Sequence, residues 1–192
     1  DWSLALYDNE YENFIDSTMV GTSQMGLMIF ESQNLTDVNI KGLELEVKKE
    51  ISENLSTSFG LSMSKGEENG EDLTSMDPDE AMVGLNWKSD SGKLNINSLI
   101  TLVSEGPYNL PPSCNRSGVC TAQLELPGRA IYDVYMGYEI TSNLTFRLAA
   151  KNLTDKKYWR WSSVRGKLSN DSSLDLFLEP GRNLSASLKY EF

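Results

Sequence analysis

Histidine is absent from this sequence. Its absence removes the commonest metal ligand and the usual general base near neutral pH. No nucleophile–base pair, glycine-rich phosphate loop or metal-binding cluster takes its place, so no enzyme activity is expected and no metal site is assigned. Long apolar runs are also missing: none approaches the roughly 18 consecutive apolar residues of a membrane-crossing helix. Cations are scarce, with 17 lysines and arginines against 28 acidic residues and a formal net charge of −11. Phosphate recognition needs clustered Lys and Arg, so nucleic acid is excluded as a partner and the acidity reads as a solvated surface. No leader-like segment precedes the strand-like run that opens at Asp1-Trp2, and the chain is expected to be a piece of something longer.

Only two cysteines occur, Cys114 and Cys120, among Pro111, Pro112, Asn115, Ser117 and Gly118, a set that favours turns. Their spacing is neither a redox nor a zinc spacing. A disulfide closing a small loop is expected, contributing roughly 2 kcal/mol on the chain-entropy model, of the kind formed in the periplasm or at cell surfaces. The alternatives are free thiols or a redox pair.

What the chain has is alternation. From Arg182 to the end, Leu184, Ala186, Leu188, Tyr190 and Phe192 share one face, and Asn183, Ser185, Ser187, Lys189 and Glu191 the other. A strand sends successive side chains to opposite sides. Eleven residues at about 3.3 Å each, tilted near 45°, span about 25 Å, the height of the apolar band on an outer-membrane barrel. Leu184, Leu188, Tyr190 and Phe192 therefore mark a barrel-closing strand. Seven earlier segments alternate similarly: Trp2 to Ile15 (with Phe14), Leu27 to Ile51, Leu55 to Ser64, Glu80 to Lys88, Lys93 to Val103, Arg129 to Ile140, and Asn143 to Tyr158. Connections at 52–54, 89–92 and 141–142 are short, and those at 16–26, 65–79, 104–128 and 159–181 are long, which is the outer-membrane arrangement. The expected fold is all-β: an antiparallel transmembrane β-barrel segment of about eight strands, with outer-membrane lipid around it, long loops extracellular and termini periplasmic. The alternatives are a soluble lipocalin-type barrel and a complete small eight-stranded outer-membrane barrel with a structural or adhesive role.

Three stretches resemble the carboxyl-terminal barrel region of TonB-dependent outer-membrane receptors. Asn152-Leu-Thr-Asp-Lys-Lys-Tyr-Trp-Arg-Trp161 is similar to that family's N-L-x-D-x-x-Y strand end. Glu179-Pro-Gly-Arg-Asn183 is similar to its P-G-R lead into the last strand, and Asn39-Ile-Lys-Gly-Leu-Glu-Leu-Glu46 to its x-G-x-E strand. Tyr158 to Trp161 and Val164-Arg-Gly166 lean towards the haem and haemoglobin receptor branch. The resemblance implies that residues 1–192 are the last eight strands of a 22-stranded barrel, with the plug domain absent. It implies TonB-dependent uptake of an iron carrier, haem or a ferric siderophore, as transported ligand, and no cofactor held by this segment alone. The implied partners are the receptor's own plug, TonB through the missing amino-terminal part, and the barrel assembly machinery. Haem receptors in the family use histidine ligands, which this chain cannot supply.

Tyr158, Trp159, Arg160, Trp161 and Arg165 are the candidate ligand-binding residues: an aromatic platform with two guanidinium groups to pair with ligand carboxylates. The competing reading is an aromatic girdle at headgroup level. The acidic stretch Glu67 to Glu80 offers oxygen ligands for calcium but lacks EF-hand spacing and reads as a solvated loop. Asp133, Glu139, Arg147 and Lys151 are expected to pair with one another or with a plug. Seven Asn-x-Ser/Thr triplets, at Asn34, Asn54, Asn115, Asn143, Asn152, Asn170 and Asn183, read as products of composition, because several fall in strands or tight turns.

Overall fold

The computed structural model describes residues 1–13, 15–22, 28–34, 37–68, 70–106, 110, 112–114 and 117–192, apart from the side chains of 16–22, 28 and 30. Phe14, Leu27, Pro111 and Asn115, named above, and Pro107 in the 104–128 connection lie outside these residues. In chain order the strands are β1 (Trp2–Tyr11), β2 (Ile15–Thr22), β3 (Met28–Asn34), β4 (Val38–Ser52), β5 (Leu55–Glu68), β6 (Glu71–Asp72), β7 (Glu80–Lys88), β8 (Leu94–Val103), β9 (Ser113–Cys114), β10 (Cys120–Thr121), β11 (Arg129–Thr141), β12 (Leu144–Lys151) and β13 (Asn183–Tyr190). A single helical turn, α1 (Trp161–Val164), and a 3-10 turn over Leu174–Phe177 lie between β12 and β13.

Eight of these strands form one antiparallel wall in the order β1-β4-β5-β7-β8-β11-β12-β13. Register carries each strand's alternation across to the next. Leu4, Leu45, Leu61, Ala81, Leu102 and Ala130 are opposed in turn across six strands. One residue along, Ala5, Glu44, Ser62, Glu80, Val103 and Arg129 make the matching row on the other side. One face is thus apolar and the other polar, because a one-residue slip anywhere would invert a strand. Two hydroxyls on the apolar face find partners inside it. Thr57 Oγ1 donates to the Gly84 carbonyl and Ser98 Oγ to the Tyr132 hydroxyl, each at 3.0 Å, which offsets the cost of a polar group among apolar ones.

The apolar face is not folded inward. Leu6, Leu184 and Leu188 are each about two-thirds or more exposed, and the buried apolar residues are few: Val38, Val103, Leu126, Ile131, Trp161 and Val164. Among the described residues β1 and β13 do not pair, so the wall is open. A complete eight-stranded barrel requires that pairing and is not favoured.

The short turns lie at one end, where the Lys48 amide also donates to the Asp1 carbonyl at 2.8 Å. On the apolar face near this end stand the exposed aromatics Trp2, Trp87, Tyr138, Tyr190 and Phe192, the last two ring-to-edge at 5.1 Å. The long connections gather at the other end and are more ordered than alternation predicts. Residues 16–22, expected as loop, belong to β2, which pairs with β3 as an arm beyond β1 and β4. The expected second segment is therefore split into β3 and β4. The seventh segment stops at Lys151, not Tyr158, because Asn152 takes a φ of 49° and its amide leaves the ladder for Asp133 Oδ1 at 2.7 Å.

Candidate functional site

Three long connections fold together over the polar face. Trp161, Val164 and Leu126 are buried against one another, with Leu110, Leu124, Trp159, Leu174 and Phe177 packed around them. Backbone bonds tie the connections: the Leu124 amide to the Lys167 carbonyl at 2.8 Å, and the Ser169 amide to the Ala122 carbonyl at 3.0 Å. The Trp161 indole donates to the Thr74 carbonyl at 3.0 Å, and Arg165 reaches the Ser75 carbonyl at 3.4 Å. These bonds dock the 69–79 connection to the rest. Cys114 and Cys120 are disulfide-bonded and face each other across the β9–β10 pair.

Beneath this cap is a concavity of about 570 Å³. Its floor comes from the polar face of the wall: Ser62, Glu80, Thr101, Arg129, Ile131 and Asp133. Its roof comes from Asp77, Tyr158, Arg160, Trp161 and Ser162. The Arg129 guanidinium sits 5.0 Å from the centre of the Tyr158 ring, a cation–π distance. Arg160 Nε donates to Glu179 Oε1 at 3.1 Å, and the Glu179 amide to the Tyr158 carbonyl. Burial, with the Glu179 carboxylate nearby, pushes the Tyr158 hydroxyl above the usual phenol range, so it remains a neutral donor at physiological pH.

The sequence-predicted residues are divided by this arrangement. Tyr158, Arg160 and Trp161 line one concavity. Trp159 belongs to the apolar cluster and donates its indole N–H to the Leu174 carbonyl at 2.8 Å. Trp161 is 2% exposed, so the two indoles do not make an open platform. Arg165 is exposed and turned to the 69–79 connection. The exposed aromatics Trp2, Trp87, Tyr138, Tyr190 and Phe192 stand at the opposite end of the wall. Asp77 and Glu80 were weighed only as part of the acidic stretch; Arg129 was not singled out and was legible only as a polar-face residue at the long-loop end of β11. Asp133 does not pair with Glu139, Arg147 or Lys151 among the described residues. It accepts from the Asn152 amide and from Tyr135 Oη at 3.3 Å. The acidic stretch is tied by Lys65, 3.4 Å from Glu67 and 3.0 Å from Asp72. No acidic, Cys or His cluster fit for a metal ion occurs among the described residues.

The motif residues at the base of the last connection interlock. Asn152 is 3% exposed. Its Nδ2 donates to the Lys156 carbonyl at 2.9 Å and the Pro180 carbonyl at 3.2 Å, while its Oδ1 accepts from the Lys156 amide at 2.9 Å. Asp155 Oδ1 accepts from the Arg182 amide at 2.8 Å. Asn152 and Asp155 hold positive φ, 49° and 53°, a conformation these two residue types tolerate. A Cβ on Gly181 would stand 2.8 Å from Asp155 Oδ1, so glycine leaves room for the carboxylate. In the x-G-x-E stretch, a Cβ on Gly42 would overlap the Tyr7 ring.

Residues 1–153 match the family model described as TonB dependent receptor-like, beta-barrel. Hemoglobin-binding protein A of Haemophilus influenzae is 23% identical over all of this chain and 22% of its own length. Ferric enterobactin receptor PirA of Pseudomonas aeruginosa is 25% identical over 98% of the chain and 25% of its own. Among solved structures, the copper transporter OprC superposes with a TM-score of 0.76 at 21% identity, over the whole chain and 29% of OprC. The pyoverdine outer membrane receptor FpvA from Pseudomonas aeruginosa PAO1 gives 0.71 at 16%, over the whole chain and 27% of FpvA. The chain spans about a quarter of the length of the curated relatives it matches. The open wall is thus a barrel fragment, and the chain belongs to the TonB-dependent receptor β-barrel family.

Proposed function

We propose that residues 1–192 are the carboxyl-terminal part of an outer-membrane receptor that takes up an iron carrier, haem or a ferric siderophore, with energy delivered through TonB. The observation that carries this reading is the capped concavity on the polar face of a wall whose other face is mostly apolar. In a barrel the apolar face meets lipid and the polar face lines the lumen. The long-loop end is then extracellular, and both ends of the chain point to the periplasm. Relatives named for haemoglobin binding and for ferric enterobactin support an iron carrier as cargo. The rest of the barrel and a plug belong to the remaining length of the receptor, and the plug meets the lumen face. The barrel assembly machinery would insert the chain through β13.

In this reading Tyr158, Arg160 and Arg165 stand at the extracellular mouth. Arg129 and Arg160 offer guanidinium groups to ligand acids, and Tyr158 offers a neutral hydroxyl. Trp159 and Trp161 hold the roof that positions them. The segment supplies binding and wall, and no covalent chemistry. The test is growth of a receptor-deleted strain, complemented with the full-length receptor, on haemoglobin, haem or ferric siderophores as sole iron source. Uptake of one of these that depends on TonB and falls in Arg129→Ala and Arg160→Ala variants supports the reading. Normal uptake of all of them without the receptor would refute it.

A further inference from the structure

We infer that the Asn152–Asp155 corner and the Pro180–Gly181–Arg182 turn form a register latch for the last strand, making the pairing of β13 independent of the long connection before it. The need for such a device follows from the alternation. A one-residue slip of β13 against β12 would turn Leu184, Leu188 and Tyr190 to the polar face and is strongly disfavoured. A two-residue slip is not. Leu184, Ala186, Leu188 and Tyr190 face Ala150, Leu148, Phe146 and Leu144, and moving by two again sets apolar against apolar and polar against polar. The facial pattern leaves these registers nearly equivalent, and a connection from 152 to 182 sets no length that would distinguish them.

The corner removes that degeneracy at the long-loop end. Asn152 follows Lys151, whose partner is Asn183, and reaches the Pro180 carbonyl. Asp155 holds the Arg182 amide. Both bonds fix residues immediately before Asn183 to residues immediately after Lys151. The first is made by the one polar side chain buried among the described residues, where an unmade bond is costly. At the short-turn end the only side-chain tie between β12 and β13 among the described residues is the Asn143 side-chain amide to the Glu191 carbonyl at 3.0 Å, and it is exposed. A slip by two would break both bonds of the corner and leave the buried Asn152 Nδ2 with only one of its two acceptors, the Lys156 carbonyl.

The experiment uses the full-length receptor in isolated outer membranes, with disulfide formation as the readout, so it does not depend on which cargo is carried. Thr145 lies opposite Lys189. The T145C/K189C pair reports the native register, and T145C/S187C a slip by two. Asn152→Gly and Asp155→Gly remove the latch bonds while keeping positive φ accessible. With two hydrogen bonds lost, each worth about a two- to tenfold population ratio, the slipped crosslink should rise roughly fourfold to a hundredfold relative to the native one. Gly181→Ala, which displaces the Asp155 carboxylate, should move it the same way, and Asn143→Ala should not. A Gly-Ser insertion after Asn170, outside the latch, should leave the native crosslink unchanged. Latch variants that crosslink only in the native register, or an insertion that shifts it, would overturn the inference. If the double variant does not reach the membrane, Gly181→Ala and the insertion decide it by the same readout.

Discussion

Replacing Trp161 by alanine should loosen the cap and leave the wall intact. The side chain is 2% exposed and holds two connections together, by packing on Leu126 and Val164 and by its bond to the Thr74 carbonyl. Deleting a buried aromatic side chain costs about 3–5 kcal/mol. The wall's ladders do not pass through Trp161, so the loss falls on opening of the cap. At 1.4 kcal/mol per tenfold, cap amides should exchange with solvent about 10²- to 10³-fold faster, up to the limit set by the cap's own stability. The reporters are the Leu124 amide, bonded to Lys167, and the Ser169 amide, bonded to Ala122. Trp161→Phe keeps most of the packing and loses the indole donor, at about 1 kcal/mol, and should accelerate them several-fold. Hydrogen exchange on the detergent-solubilised receptor measures both. Trp161→Ala that leaves Leu124 and Ser169 unchanged, or that accelerates β12 amides equally, would refute an anchored, separable cap.

Four further outcomes follow from the same geometry. Cys114→Ser with Cys120→Ser should weaken the β9–β10 pair by about 2 kcal/mol, seen as faster proteolysis within 104–128 with no change in the temperature at which the barrel unfolds. Gly42→Ala should displace the Tyr7 ring and lower that unfolding temperature, at about 1–3 kcal/mol, read by heat-dependent gel mobility; unaltered mobility would contradict it. Leu45→Arg on the apolar face should impair insertion by about 2–4 kcal/mol, whereas Ser58→Arg on the polar face should be tolerated; the reverse ranking would place lipid on the wrong face. Bonds from Ser173, then Lys167, hold the Asp171 carboxyl at about 2, below its unfolded value, so its contribution is present above pH 4 and lost as pH falls through 2. A carboxyl NMR titration of Asp171 with a midpoint near 4 would contradict this.

The wall was legible because each strand's alternation is local and register carries it across. Leu55 to Ser64, Lys93 to Val103 and Leu184 to Phe192 all take the faces that their spacing predicts. A cap over the barrel mouth was one reading of the 104–128 connection, but the contacts that build it were not legible, because they are distant in sequence: Trp161 meets Thr74 across 87 residues, and nothing beside either residue announces it. Exposed and buried positions draw on the same residue type, so nothing in the sequence told Trp159 and Trp161 from the exposed Trp2 and Trp87. The Asn-x-Ser/Thr triplets looked compositional, yet Asn152 closes a corner and Asn54 donates to the Lys88 carbonyl at 3.0 Å in a turn. Motif spelling identified the family; the reason for the spelling appeared only when Asn152 and Asp155 were seen to grip Pro180 and Arg182.

A connection closed at its base by a handful of atoms separates two kinds of evolutionary pressure. Under the inferred latch, changes between Lys157 and Glu179 alter what the long-loop end presents while the seam below stays shut, since Asn152, Asp155 and Gly181 lie outside that interval. Such a segment can then be lengthened or shortened without moving the register of β13. The inferred latch predicts that substitutions at Asn152, Asp155 and Gly181 are tolerated less than substitutions in the residues they enclose.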